Sequence, residues 1–147
     1  MDRNFAFEVA ETAQVLRRAF DRRAATLGVT RAQWRVLARL GRQDGPRQVE
    51  LAEALDVEPI TLCRMVDRLS EAGLVERRRD EEDRRAWRIH LTPAAGPLIE
   101  SLRLLAADFL GDALDGVRDE DQVLALDILA RVRANIAGKA VNARKAS

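Results

Sequence analysis

Cysteine and histidine each occur once in these 147 residues, as Cys63 and His90. A single thiol excludes an intrachain disulfide framework and a cysteine-based zinc site. A single imidazole leaves hydrolytic triads and histidine-rich metal centres without their parts. Long apolar runs are missing as well. No stretch reaches the ~18 residues a transmembrane helix needs, and Met1-Asp2-Arg3-Asn4 leads into no signal-peptide core. No nucleophile, base and stabiliser set can be assembled. These absences predict a cytoplasmic protein with no membrane partner, no enzyme activity, no metal and no cofactor.

What is present fits one globular domain of ordinary size, with 47% hydrophobic and 33% charged residues. The 25 basic and 24 acidic side chains leave a formal charge of +1, with no basic tail and no polybasic block. Among the basic residues only Lys139 and Lys145 are lysine; the rest are arginine. Arginine suits bidentate contacts to phosphate and guanine. A nucleic-acid partner would therefore be met by the placement of arginines and not by bulk charge.

Apolar residues recur at helical spacing from Phe5 to Leu27, and Gly28 ends that segment. Thr30 with Gln33 forms a capping box, opening a second helix that carries Trp34, Leu37 and Leu40 inward. Gly41 to Pro46 reads as a loop. A short helix is predicted over Gln48 to Leu55, and another from Pro59 to Ala72, with proline in the first turn. The period then changes to that of strands, Leu74 to Arg79 and Trp87 to Leu91, joined by the polar tip Asp80-Glu81-Glu82-Asp83-Arg84-Arg85. The hairpin is expected to have one apolar and one basic face. After Thr92-Pro93 a helix carries Leu98, Leu102, Leu105 and Phe109. Asp119-Glu120-Asp121 opens a last helix through Leu129, Val132 and Ile136, and the tail after Gly138 is expected to fray.

Two short helices, a tight turn and a hairpin spell a winged helix-turn-helix. Ala52 is small where the helices cross, and Asp56 stands in the turn where glycine is frequent. Aspartate tolerates the left-handed conformation such a turn needs. In the second helix Leu62, Met65, Val66 and Leu69 share a core face, while Ile60, Thr61, Arg64 and Arg68 lie opposite, as suits a major groove. Arg77, Arg78, Arg79, Arg84, Arg85 and Arg88 crowd the hairpin, where Asp83 can orient a neighbouring arginine for a narrow minor groove. The acidic run at the tip lacks the glycine and ligand spacing of a divalent-metal loop.

From Thr30 to about Leu98 the chain resembles the MarR family of bacterial transcriptional regulators, and within it the SlyA-like group. The matching stretches are Val57-Glu58-Pro59, Arg64-Met65-Val66-Asp67-Arg68-Leu69 and Ala72-Gly73-Leu74-Val75-Glu76-Arg77-Arg78. They continue through Asp83-Arg84-Arg85-Ala86, His90-Leu91-Thr92 and Gly96-Pro97-Leu98-Ile99. The resemblance implies a mainly α fold with a small β-hairpin and an obligate homodimer. The dimer would be built by an N-terminal helix (1–29) and C-terminal helices (93–147), around a DNA-binding lobe at 30–92. It implies a sequence-specific regulator on a pseudo-palindromic double-stranded operator, with its recognition helix in the major groove and a wing arginine in the minor groove. The family's wing aspartate and arginine fall on Asp83 and Arg85, with Arg84 between them, and its recognition-helix arginine falls on Arg64. Glu81 and Glu82 depart from the pattern, filling positions often held by proline or a basic residue. The expected DNA-binding set is Gln48, Pro59, Ile60, Thr61, Arg64, Arg68, Asp83, Arg84 and Arg85. Family members often bind small aromatic or lipophilic acids, which would place an effector near Arg17, Phe20 and Trp34.

Four residues carry blander readings. Cys63 flanks the core face and reads as a small semi-buried spacer and not a redox sensor. His90, on the polar strand face, reads as a phosphate or water contact. Trp34 and Phe20 can equally be plain core. The competing function is a helical dimeric interaction protein whose hairpin contacts protein.

Overall fold

The structure, a computed structural model, describes residues 3–146, apart from the side chains at 140, 141 and 143. Its elements are six helices and one hairpin: α1 Phe5–Ala25, α2 Arg31–Arg42, α3 Gln48–Leu55, α4 Pro59–Glu71, β1 Val75–Arg79, β2 Trp87–Leu91, α5 Gly96–Ala113 and α6 Asp119–Ala146. A 3₁₀ turn at Pro93–Ala95 leads into α5. The chain divides into two compact units, Met1–Phe109 and Leu110–Ser147. Among the described residues no helix is long and apolar enough to cross a membrane.

Local chemistry accounts for the helix starts. Asn4 accepts from the Ala6 N–H at 2.8 Å, supplying the oxygen an N-cap needs. Thr30 and Gln33 form the reciprocal capping box, at 3.2 and 3.0 Å. The apolar faces of α2, α3 and α4 then converge: Leu37, Leu40, Leu51, Leu62, Val66 and Leu69 are buried, joined by Val75 and Ile89 of the hairpin. Each such leucine contributes about 1.5–3 kcal/mol by leaving water. The crossing of α3 and α4 is bounded by Asp56, whose φ of 52° and ψ of 50° are left-handed. It is the one non-glycine residue with positive φ among those described. Val57 then donates its N–H to the Ala52 carbonyl at 3.1 Å, which turns the chain into α4.

β1 and β2 pair antiparallel, with Val75 opposite Leu91, Arg77 opposite Ile89 and Arg79 opposite Trp87. Gly45–Arg47 adds a rudimentary third strand. The Gly45 N–H donates to the Ile89 carbonyl and the Ile89 N–H to the Pro46 carbonyl, both at 3.0 Å, with Arg47 bridged to Arg88. Gly45 has φ of +79°, and a Cβ there would lie 2.6 Å from Cε1 of His90, so a larger residue would be strained and would displace the His90 ring.

Three sequence expectations change here. The hairpin divides less cleanly than expected, because the register sets Arg77 and Arg79 on the face of Val75, Trp87, Ile89 and Leu91, and Glu76 on the face of Arg78, Arg88 and His90. Gly41 belongs to α2 and not to the loop, since the Gln43 N–H still reaches the Arg39 carbonyl. The backbone after Gly138 stays helical to Ala146. Alanine, lysine and arginine are strong helix formers, and Arg144 and Lys145 complement the negative end of the helix dipole.

Candidate nucleic-acid interface

The exposed side of α4 is built by the burial of the other side. With Leu62, Val66 and Leu69 in the core, the 3.6-residue period turns Ile60, Arg64 and Arg68 outward. All three are exposed, as are Pro59 and Thr61. Pro59 opens the helix at a position where a missing N–H costs nothing. Gln48, at the start of α3, is half-buried and accepts from Nε of Arg77 at 3.1 Å. Its amide is therefore engaged within the fold, unlike the other expected contacts on this side.

Arg77 fastens the hairpin to α4. Besides Gln48 it donates to the Cys63 carbonyl at 3.1 Å and pairs with Asp67 at 2.7 Å. Cys63 is half-buried beneath it, with Sγ 3.6 Å from Nη2, consistent with the spacer reading. Arg79 stacks its guanidinium 4.3 Å over the Trp87 ring, and Arg78 pairs with Glu76. Arg77, Arg78 and Arg79, which crowd the hairpin in sequence, thus each have a partner inside the lobe.

The hairpin is organised by Asp80, which composition assigns to an acidic tip. It is only 2% exposed. One carboxylate oxygen accepts from the Glu82 N–H at 2.8 Å and the Asp83 N–H at 3.1 Å, closing the tight turn. The other accepts from Nε of Arg88 at 2.8 Å and of Arg47 at 3.1 Å. Arg88 continues to the Gly45 carbonyl at 2.8 Å. The backbone N–H groups of Asp83 and Glu82, with Arg88 and Arg47, hold the Asp80 carboxyl at about 2, against an ordinary 3.8. The turn signal was present in the spacing of Asp80 to Asp83. The pairing with Arg47, 33 residues upstream, had no local signal.

At the tip, Asp83 accepts from the Arg85 N–H at 3.1 Å and lies 3.7 Å from its Nε. The Arg85 side chain is 96% exposed. Arg84 is exposed, and its backbone carbonyl accepts from Arg79. Arg84 and Arg85 thus project from a braced turn, with Glu81 and Glu82 exposed beside them. Among the described residues no group of three or more histidine, cysteine or acidic side chains could hold a metal ion. His90 is drawn to the wing base and not to the outer surface: Nδ1 lies 3.3 Å from Asp44, whose other oxygen accepts from the Leu91 N–H at 2.8 Å.

The residues expected to line an effector site are partly brought together. Phe20 and Trp34 meet edge-to-face at 4.9 Å, and Phe20 meets Phe109 at 5.6 Å. The Trp34 indole N–H donates to Asp21 at 2.7 Å, and Arg31 also donates to Asp21, at 2.6 Å. Burial pushes the Asp21 carboxyl up, but its bonds to Arg31 and Trp34 outweigh this and hold it below its ordinary value. Arg17 stands exposed on α1 and adds to that lowering by its charge.

A core-packed helix-turn-helix with a braced, arginine-tipped hairpin defines a winged helix-turn-helix protein. The MarR family model matches residues 29–87. The crystal structure of the transcriptional regulator PA3341 is 40% identical, covering 92% of this chain and 99% of its own, with a TM-score of 0.84. A MarR-family regulator from Silicibacter pomeroyi is 27% identical over 89% of this chain and 88% of its own, with a TM-score of 0.78. Apo MarR from E. coli, at 24% identity over 90% of this chain and 98% of its own, shares the fold with a TM-score of 0.77. The chain belongs to the MarR family of transcriptional regulators.

Replacing Asp80 should loosen the wing without emptying the hydrophobic core. Its carboxyl titrates lower in the folded chain than in the unfolded one, so its contribution is complete above about pH 4 and disappears as pH falls through about 2. Asp80→Asn should lower the thermal midpoint at pH 7 and speed amide exchange at Glu82 and Asp83. The gap from the wild type should narrow between pH 4 and pH 2. Equal midpoints and equal exchange at pH 7 would contradict the bracing role.

Proposed function

We propose that this protein is a cytoplasmic, sequence-specific regulator of the SlyA-like group that binds a pseudo-palindromic double-stranded operator as a homodimer. In this reading residues 30–92 form the DNA-binding lobe, and residues 1–29 and 93–147 supply the dimerisation helices. Ile60, Thr61, Arg64 and Arg68 enter the major groove, and Arg85, oriented by Asp83, enters the minor groove beside Arg84. Pro59 approaches the backbone at the start of the recognition helix. Gln48 contributes by positioning Arg77. The observation that carries the reading is the sorting of arginines: Arg77, Arg79 and Arg88 are bound within the lobe, while Arg64, Arg68, Arg84 and Arg85 are exposed on the recognition helix and the wing tip.

Dimerisation is supported by apolar surface left open in each unit. In the first, Phe5, Phe7 and Val15 of α1 are exposed; in the second, Val123, Leu124, Leu126, Ile128 and Ile136 of α6 are exposed. A long helix with so much apolar surface in water requires a cover, and a two-fold partner also presents two recognition helices to successive grooves. A small aromatic acid is the effector this reading favours, with Arg17 as its cation. Phe20 and Trp34 are in contact, so such a ligand must part them and must bind the non-productive arrangement more tightly to release DNA.

Arg64→Ala should cost about 1–3 kcal/mol per half-site and relax base preference. Arg85→Ala should weaken binding across sequences and reduce the salt slope by about 1. Wild-type affinity in both variants would sink the DNA-contact assignment. Sedimentation at micromolar concentration should give a dimer, and truncation before Asp119 should abolish both dimer and DNA binding; a clean full-length monomer is the contrary result. Titration with salicylate at high micromolar to millimolar levels should change Trp34 emission and weaken DNA binding, and no change in either would leave the aromatic cluster as core alone.

A further inference from the structure

The exposed residues of α4 include one that electrostatics does not explain. Ile60 occupies the second helical position and is 63% exposed, although a β-branched aliphatic side chain gains nothing from water. Leu62, Val66 and Leu69 define the buried side of the helix. At 3.6 residues per turn, Ile60 and Arg64 fall on the pole opposite that side, about 40° apart around the axis and about 6 Å apart along it. Ile60 is flanked by exposed Thr61 and Arg64, and no other large apolar side chain is exposed on α4. A protein contact would call for a contiguous patch. A single aliphatic group beside a guanidinium fits a surface that alternates an apolar spot with an acceptor pair.

The major-groove floor has that pattern. Thymine offers a 5-methyl group, the one apolar substituent among the four standard base edges, while guanine offers the O6 and N7 acceptors that arginine reads. We infer that Ile60 is a specificity-determining residue that packs on a thymine 5-methyl group, within about two base-pair steps of the guanine read by Arg64. The spacing follows from the 6 Å separation on the helix and the 3.4 Å rise of duplex DNA. This inference rests on the DNA-binding reading above and adds to it the identity of a base.

The test removes one methyl group from the DNA. Duplexes that the wild-type chain enriches from a random pool are resynthesised with each thymine in turn replaced by 2′-deoxyuridine, and affinities are measured for wild type and Ile60→Ala. The side chain lies outside the core, so the variant should retain the wild-type circular dichroism and thermal midpoint. One thymine per half-site should show about a fourfold loss on replacement by uracil, the value of one buried methyl group. In Ile60→Ala that loss should vanish while sensitivity to the guanine opposite Arg64 remains. If the wild type binds its enriched duplexes but no thymine is sensitive, or the sensitivity persists in the variant, the inference is overturned and the DNA-binding reading stands. If no duplex is enriched, both fall together.

Discussion

The wing depends on a carboxylate that is almost hidden from solvent. Asp80 accepts from two backbone N–H groups of its own turn and from two guanidinium groups on neighbouring strands. Charge-assisted bonds of this kind are shorter and stronger than neutral ones, and four of them satisfy the ion where water cannot reach. They join three segments at one point: the rudimentary strand through Arg47, strand β2 through Arg88, and the turn that sets Asp83 beside Arg85. A two-stranded hairpin alone is marginal in water. Here the third segment and the central ion make it rigid enough to hold a side chain at a fixed reach.

In the proposed reading, the same arrangement would let a chain of almost no net charge meet a polyanion. Acidic residues are not arranged as a general counterweight to the arginines; several are matched to particular ones. Asp80 holds Arg47 and Arg88, Asp67 holds Arg77, Asp21 holds Arg31, and Glu76 holds Arg78. Arg64, Arg68, Arg84 and Arg85 are left exposed on α4 and at the wing tip, with Arg85 beside Asp83. Recognition by such groups should be decided by geometry more than by long-range attraction, because the overall field is weak. In the DNA-binding reading proposed above, Glu81 and Glu82, exposed beside the wing arginines, would oppose indiscriminate phosphate contact.

Within the first unit, the core of α2, α3 and α4 and the aromatic group of Phe20, Trp34 and Phe109 are distinct in chemistry. The former is aliphatic and closed; the latter carries a polar edge at Asp21, which ties Trp34 and Arg31 together. A closed aliphatic core gives the recognition helix a fixed platform. The aromatic rings meet edge-to-face, contacts that add about 0.5–1.5 kcal/mol each beyond the area they bury. The effector proposed above would act on this aromatic group and not beneath α4.

Much of the fold was legible because its signals are local. The capping box of Thr30 and Gln33, the proline at the head of α4, the change from a helical to an alternating period after Gly73 and the tolerance of Asp56 for a left-handed turn are each contained within a few residues. They determined the order of elements and, through apolar spacing, which side of α4 faces outward. The role of Asp80, the clasp of Arg77 across α3 and α4, and the position of His90 against Gly45 were decided only by tertiary structure. Strand register chose which arginines share a side with Ile89. Residues of other elements, Gln48 of α3 and Cys63 and Asp67 of α4, supplied the partners of Arg77. An ion pair between distant segments leaves no periodic trace in sequence, so composition could count the arginines but could not separate those that brace the wing from those left to project from it.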